Sequence, residues 1–262
     1  MNSSLRTSAS GMMAQQRMID VIANNLANVN TTGFKRSRVS FEDVLYETVR
    51  ESRVASAQSN ETLAPVQIGK GVRISAVLRL HTQGSPEGTQ RPLDLAVEGE
   101  GMFQVQREDG TVAYTRDGNF TLDATGALVT TGGYHVLPGI SLPQDASEIA
   151  VSPNGTLSAL LPGSSSPTEV GRLELARFLN PSGLIAIGEN QYAATDASGE
   201  PTTGMPNEDG FGRVLQGTLE SSNVEMVQEM TDMIAAQRAY EINAKAVKTA
   251  EDMMQASNDL LR

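Results

Sequence analysis

Apolar residues recur every seven positions at both ends of this chain and alternate with polar ones over short runs in between. From the start, Leu5, Met12, Ile19 and Leu26 fall at steps of seven, with Ile22 and Val29 three places after the last two. At the other end Met226, Met233, Tyr240, Val247, Met254 and Leu261 continue the same repeat. A seven-residue repeat keeps one narrow apolar seam on a helix and favours a coiled-coil partner, whereas a helix covering a globular core shows a wider face. The pattern predicts one helix over residues 1–30 and another from Ser222 onward, opened by a capping box of Ser222 and Glu225. The second would run roughly 55–60 Å at 1.5 Å per residue, longer than a small domain usually needs. The expectation is that these helices pair with each other and with other copies of the chain; the alternative is that they simply cover the middle.

The middle has the period of strands. MFQVQREDGTVAYTRDGNFTLDATGALVTTGGYHVLPGI alternates β-prone runs with turns at EDGT, RDGN and DATGA. IAVSPNGTLSALLPG repeats strand, turn and strand around Asn154-Gly155, and LELARFL and NQYAAT add further strands. Short strands at this spacing predict an all-β sandwich or barrel-like domain. Before them, FEDVLYETVR is compatible with a helix, and SRVASAQSNETLA is polar and reads as extended or mobile until something holds it.

The breakers draw the domain boundaries. All eleven prolines lie between Pro65 and Pro206, and 22 of the 24 glycines lie between residues 61 and 220. The expected organisation is a mixed fold: a β-rich domain over 71–221, a connecting segment over 31–70, and flanking coiled-coil-forming helices over 1–30 and 222–262. Nine of the eleven methionines sit in the two ends, where an adaptable side chain suits a surface that meets several neighbours.

Charge and composition exclude several functions. The net charge of −11 argues against a nucleic-acid partner, and the absence of cysteine removes disulfides, thiolate metal sites and cysteine nucleophiles. No apolar run approaches a membrane span, and MNSSLRTSAS lacks the apolar core of a cleaved signal peptide. The two histidines, His81 and His135, share no metal-ligand spacing. The Asp-Gly pairs read as hairpin turns because they lack the alternating acids and closing Glu of a calcium loop. No phosphate loop, dinucleotide loop or catalytic triad stands out, and no cofactor is expected. Lys35, Arg36 and Arg38 crowd one short stretch; they read either as contacts to a carboxylate-rich face of a neighbour or as solvated charge.

ANNLANVNTTGFKRSR, residues 23–38, resembles the N-terminal motif of the flagellar axial proteins, the rod and hook subunits of the bacterial flagellum. FEDVLYETVR, EGEGMFQV, AYTRDGNFTLDATGALVTTGGY, GLIAIGENQYAAT and QGTLESSNVEMVQEMTDMIAAQRAYEINAKAV resemble that family in the same order, across nearly the whole chain. Length and the segment SRVASAQSNETLAPVQIGKGVR resemble the distal rod members, with proximal rod and hook subunits as near alternatives. The resemblance implies a structural subunit, not an enzyme, exported through the flagellar type III apparatus without a cleaved signal. It would stack helically with itself into a hollow shaft crossing the periplasm. Terminal helices would line the channel and the β domain would face outward. Proximal rod, hook or hook–rod junction, bushing rings and rod cap are the implied partners. The segment from about Glu42 to Gly71 is implied to stiffen the rod. On this reading Asn24, Asn25, Asn28 and Asn30 sit at the last turns of the first helix and beyond. Their amides bond free carbonyls or a neighbour and fix register. Gly33 supplies a permissive dihedral for the exit, and Phe34 anchors the next segment by burial. A competing class, a secreted β-rich enzyme or adhesin on a helical stalk, would need a concave site with converging polar groups.

Overall fold

The computed structural model describes residues 2–50, 66–143, 145–146, 148–162 and 166–259. Leu261 and the polar stretch Ser52–Ala64 lie outside the described residues. The fold is mixed and mostly β, with one helix near each end, α1 (Asn2–Ala27) and α2 (Met226–Asp259). The chain divides into two compact units, one formed by Met1–Leu26, Ser37–Leu78 and Glu225–Arg262, the other by Ala27–Arg36 and Arg79–Val224.

The first unit holds the helices and a two-stranded ribbon. Strand Ser37–Asp43 pairs with Val72–Arg79, and Tyr46–Arg50 pairs antiparallel with Val66–Gly69. The Val44 N–H donates to the Gly71 carbonyl at 2.9 Å and joins the two pairs into one ribbon. FEDVLYETVR therefore lies in two strands broken at Val44-Leu45, where its sequence is also compatible with a helix. Its aromatic and β-branched residues suit a pleated surface, and residues 66–79 supply the ladder. Isolated two-stranded ribbons are marginal in water, and this one leaves Phe41, Leu45, Tyr46, Ile68, Val77 and Leu78 exposed, Leu45 at 85%.

Among the described residues of the second unit, the regular structure is β apart from one 3₁₀ turn at Pro181–Gly183. Its main sheet runs, in spatial order, Ile185–Gly188, Gln191–Ala193, Val112–Thr115, Met102–Gln106, His135–Val136, Leu128–Thr130 and Phe120–Leu122. Strand Leu175–Arg177 also pairs with Met102–Gln106 and, on its other side, with Thr202–Gly204. The order has free ends, so the sheet does not close into a barrel among the described strands. Side chains alternate across a strand, and here both faces are covered. Phe103 and Val105 enter one cluster with Phe120, Leu128, Leu157 and Leu175. Met102 enters another with Tyr114, Ala176, Phe178 and Tyr192. Phe103 and Phe120 meet edge to face at 5.0 Å, and Tyr114 and Phe178 at 4.7 Å.

The Asp-containing turns are built from local bonds, as hairpin turns are. Asp109 accepts from the Thr111 N–H at 2.9 Å and its hydroxyl at 2.6 Å, and Asp123 accepts from the N–H groups of Thr125 and Ala127 at 2.8 Å each. α2 begins at Met226, so the expected capping box of Ser222 and Glu225 does not form. The Ser222 hydroxyl instead accepts from Val224 N–H at 3.4 Å, and Asn223 is tied to Phe34 through its backbone. Those bonds hold residues 222–224 outside the helix, and the first helical carbonyl is that of Glu225.

Candidate assembly site

The stretch ANNLANVNTTGFKRSR occupies the end of α1 and the loop beyond it. In the first unit, Asn25 is buried and its amide is fully used. Its nitrogen donates to the Ser37 carbonyl at 2.9 Å and to Glu229 Oε2 at 3.1 Å, and its oxygen accepts from the Ser37 N–H at 2.9 Å. One side chain thus mimics a strand edge toward Ser37 and links α1 to the first turn of α2. Fourteen residues earlier on α1, a Cβ placed on Gly11 would stand 3.1 Å from the Asn243 amide, itself fourteen residues beyond Glu229. The helices are antiparallel, and the two contacts lie two heptads apart on each.

Apart from Ile22, the most deeply buried positions on the two helices are not those of the apolar pattern. Ala14, Ile22, Asn25, Glu229 and Ala236 are buried. Leu5, Met12, Ile19, Leu26, Met233, Val247 and Met254 are half-buried, and Met226 and Tyr240 are exposed. A second heptad, Glu229, Ala236, Asn243 and Ala250, runs alongside the methionine seam and is small or polar. Small residues let helix axes approach, and polar ones pin register. This repeat is visible in the sequence once non-apolar heptads are read too.

Pairing leaves part of α2 uncovered. Met226, Val227, Met230 and Ile234 are exposed, Val227 at 79%, and Ile242 and Met253 also face out. The first four sit at positions i, i+1, i+4 and i+8, within an arc of about 100°. On α1, Met13 is exposed at 72%.

In the second unit the same stretch builds a buried ion cluster. Gly33 has φ +66°, and its N–H donates to the Glu220 carbonyl at 2.8 Å. A Cβ there would lie 2.6 Å from the Asp117 nitrogen, so both dihedral and space demand glycine. Phe34 is buried, and Val29 and Asn28 are half-buried. Asn28 holds the turn by accepting from the Thr31 hydroxyl at 3.2 Å; Asn24 and Asn30 are exposed.

Lys35 is corrected by the structure. Expected at a subunit surface, it is fully buried, and its ammonium donates to Glu220 Oε1 at 2.5 Å and to the Thr82 carbonyl at 2.8 Å. Burial pulls its pKa below 10.5 while Glu220 pulls the other way. Glu220 also accepts from the Gly84 N–H at 2.8 Å and from the Arg116 guanidinium at 3.2 Å. Asn223 completes the knot, accepting from Arg36 N–H at 2.7 Å and donating to the Leu80 and Thr82 carbonyls at 2.9 and 3.0 Å. Arg36 is half-buried and Arg38 exposed. Glu220 and Asn223 carry no local sequence signal, because their partners lie about a hundred or more residues away; Arg116 reaches Glu220 104 positions on and the Val97 and Gly99 carbonyls 19 and 17 positions back.

Among the described residues no cluster of His, Asp and Glu is placed to hold a metal, and no helix is long and apolar enough to cross a membrane.

Three family descriptions match in chain order: flagella basal body rod protein over residues 5–35, flagellar hook protein FlgE/F/G D1 domain over 96–159, and flagellar basal body rod FlgEFG protein C-terminal over 215–260. The flagellar basal-body rod protein FlgG of Caulobacter vibrioides is 48% identical over 257 residues, covering 98% of each chain. That of Borreliella burgdorferi is 46% identical over 262 residues, again covering 98% of each. The FlgF rod protein of Caulobacter vibrioides is 34% identical over 266 residues, covering 100% of this chain and 98% of its own. With both ends, the β unit and nearly every position between them accounted for, the chain belongs to the flagellar basal-body rod protein family, among its FlgG-type members.

Proposed function

We propose that this chain is a non-enzymatic subunit of the distal rod that polymerises helically into a hollow, torque-bearing shaft, its terminal helices packing as a coiled coil with those of other copies. The observation that carries this is the apolar arc Met226, Val227, Met230 and Ile234, which pairing with α1 leaves in water. Fully burying side chains of this size is worth roughly 1.5–3 kcal/mol each. Three of the four are about half exposed, so a neighbour covering the arc gains roughly 3.5–7 kcal/mol per copy by the same scale. Repeated along a shaft, such contacts resist torque without any strong single bond. The ribbon with Leu45, Tyr46 and Ile68 offers a second surface for neighbours and is the part of the connecting segment suited to stiffening the shaft. Proximal rod, hook, bushing rings, cap and type III export apparatus are the expected partners, and the basal body the expected place.

The test is the triple variant Val227→Ser, Met230→Ser, Ile234→Ser in a motile host. The purified monomer should melt like the parent, because these side chains are already exposed, while rods and motility are lost. Normal rods from a stably produced triple variant would refute the proposal. A stalked enzyme or adhesin would be indifferent to these changes.

A further inference from the structure

A cavity of about 350 Å³ opens beside the buried ion cluster of the second unit. His81, Glu100, Arg116 and Arg177 supply its polar wall, and Phe178 and Leu179 part of its apolar one. Leu179 stands at the surface with 98% of its area exposed. Both ring nitrogens of His81 and the Nε of Arg116 are buried without a hydrogen-bond partner. The rest of the Arg116 guanidinium is engaged, with Val97 O at 3.1 Å, Glu220 at 3.2 Å and Gly99 O at 2.7 Å. Arg177 reaches Glu100 only at 3.7 Å. Lys35, Arg79 and Arg116 surround His81, and burial with these charges lowers its pKa to about 4, so the ring is neutral near pH 7.

The charges do not balance. Among the described residues, Lys35 and Arg116 share Glu220, Arg177 reaches Glu100, and Arg79 lies over the Tyr192 ring at 5.4 Å, in a chain whose net charge is −11. Idle buried donors cost free energy unless something accepts from them. A carboxylate is the group with two acceptor oxygens and the missing charge. The apolar wall suits a short aliphatic stem, and a phosphate would leave that wall unused.

We infer that this cavity is a socket for the carboxylate of an Asp or Glu side chain of a second copy, held by the Arg116 Nε–H, an N–H of His81 and the Arg177 guanidinium. The occupant rests on the self-association proposed above, and residues 61–220, with nineteen acids against nine bases, offer many candidates. Leu179 would be covered as the neighbour arrives.

Only two histidines are present, so imidazole NMR of the full-length monomer reads the site directly, with His135→Gln giving the assignment. Propionate, a carboxylate on an aliphatic stem, should shift His81 saturably with a Kd of roughly 1–10 mM and raise its pKa; the neutral isostere propionamide should not. Arg177→Gln should weaken propionate about tenfold, and Glu100→Gln, by removing a competitor for Arg177, should strengthen it. Equal shifts with propionamide, no saturation, or the same shift at His135 (an adventitious ion only) would overturn the socket. In polymer without added carboxylate, solid-state spectra should show His81 already raised. Monomer-like His81 in the polymer, with propionate still binding the monomer, overturns the second-copy occupant in favour of a small free carboxylate. Propionate binding in a chain that never polymerises refutes self-association and that occupant while the carboxylate preference stands.

Discussion

Replacing Glu220 with glutamine should open the second unit, and the cost can be worked from the cluster itself. The carboxylate receives Lys35 at 2.5 Å, Gly84 N–H at 2.8 Å and Arg116 at 3.2 Å. Glutamine keeps the shape but removes the charge and points an N–H₂ at one of two cations. Breaking a buried pair from one side costs about 3–5 kcal/mol, because the other charge stays behind. Lys35 sets a ceiling on its own share. It can shed its proton, and doing so at pH 7 from its ordinary 10.5 costs just under about 5 kcal/mol at 1.36 kcal/mol per pH unit. Glu220→Gln should therefore lose about 4 kcal/mol, a drop of roughly 8–16 °C in Tm for a protein of this size. The escape route fixes the sign of the pH dependence. A lysine neutral when folded and charged when unfolded binds more protons in the unfolded state, so stability rises with pH. The deficit against the parent should shrink between pH 7 and 9. Lys35→Met in the Glu220→Gln background removes the stranded charge with an unbranched apolar chain of similar length. It should restore more than half the loss and abolish that pH dependence. Thermal melts followed at the β-sheet circular dichroism band measure all of this. A Glu220→Gln protein within about 1 kcal/mol of the parent, well below the cost of a stranded charge, would refute the reasoning. So would a deficit indifferent to pH.

Three further perturbations probe neighbouring claims. His81, with its pKa lowered from 6.5 to about 4, takes its proton later than the unfolded chain as pH falls. Stability should decline from about pH 6.5 to about pH 4 by about 3 kcal/mol in all; urea melts of His81→Gln should lose that slope, and an unchanged slope would contradict it. Gly33→Ala places a Cβ 2.6 Å from the Asp117 nitrogen at φ +66°. Left-handed strain and overpacking together should cost roughly 2–5 kcal/mol, and a melt like the parent's would show that the loop yields. Asn25→Leu leaves the Ser37 N–H and carbonyl without their side-chain partner and should cost roughly 2–4 kcal/mol. The helical band at 222 nm should soften first, and an unaltered helical transition would remove Asn25 from the role of register pin.

Much of this fold was legible because its signals are local. The turn at Asn154-Gly155, the strands of MFQVQREDGTVAYT and the glycine exit at Gly33 each follow from a few adjacent residues, and the structure has them where the pattern put them. The helix ends were legible to within a few residues, until long-range bonds intervened at Ser222–Val224. FEDVLYETVR went the other way because its strand character depends on a ladder supplied by residues 66–79. Lys35 shows the limit most clearly. Beside Arg36 and Arg38 it has the look of surface charge, and nothing nearby says that its partner stands 185 positions further on.

The same comparison explains the polar character of residues 23–38. Asn25 meets Glu229 in the first unit, while Gly33 and Lys35 meet Glu220, and Phe34 and Arg36 meet Asn223, in the second. Both ends of the chain thus recognise each other twice, through amides and charges that are buried and specific rather than through the apolar seam. Apolar side chains can slide past one another by a heptad at little cost, whereas a buried carboxylate without its partner costs several kcal/mol. Register inside one chain is consequently set by Glu220 and Glu229. On the proposed function, that leaves Met226, Val227, Met230 and Ile234 for contact with other chains. A substitution in that arc should therefore act on polymerisation with little effect on the monomer, and one at Glu220 or Asn25 should act on the monomer before any polymer forms.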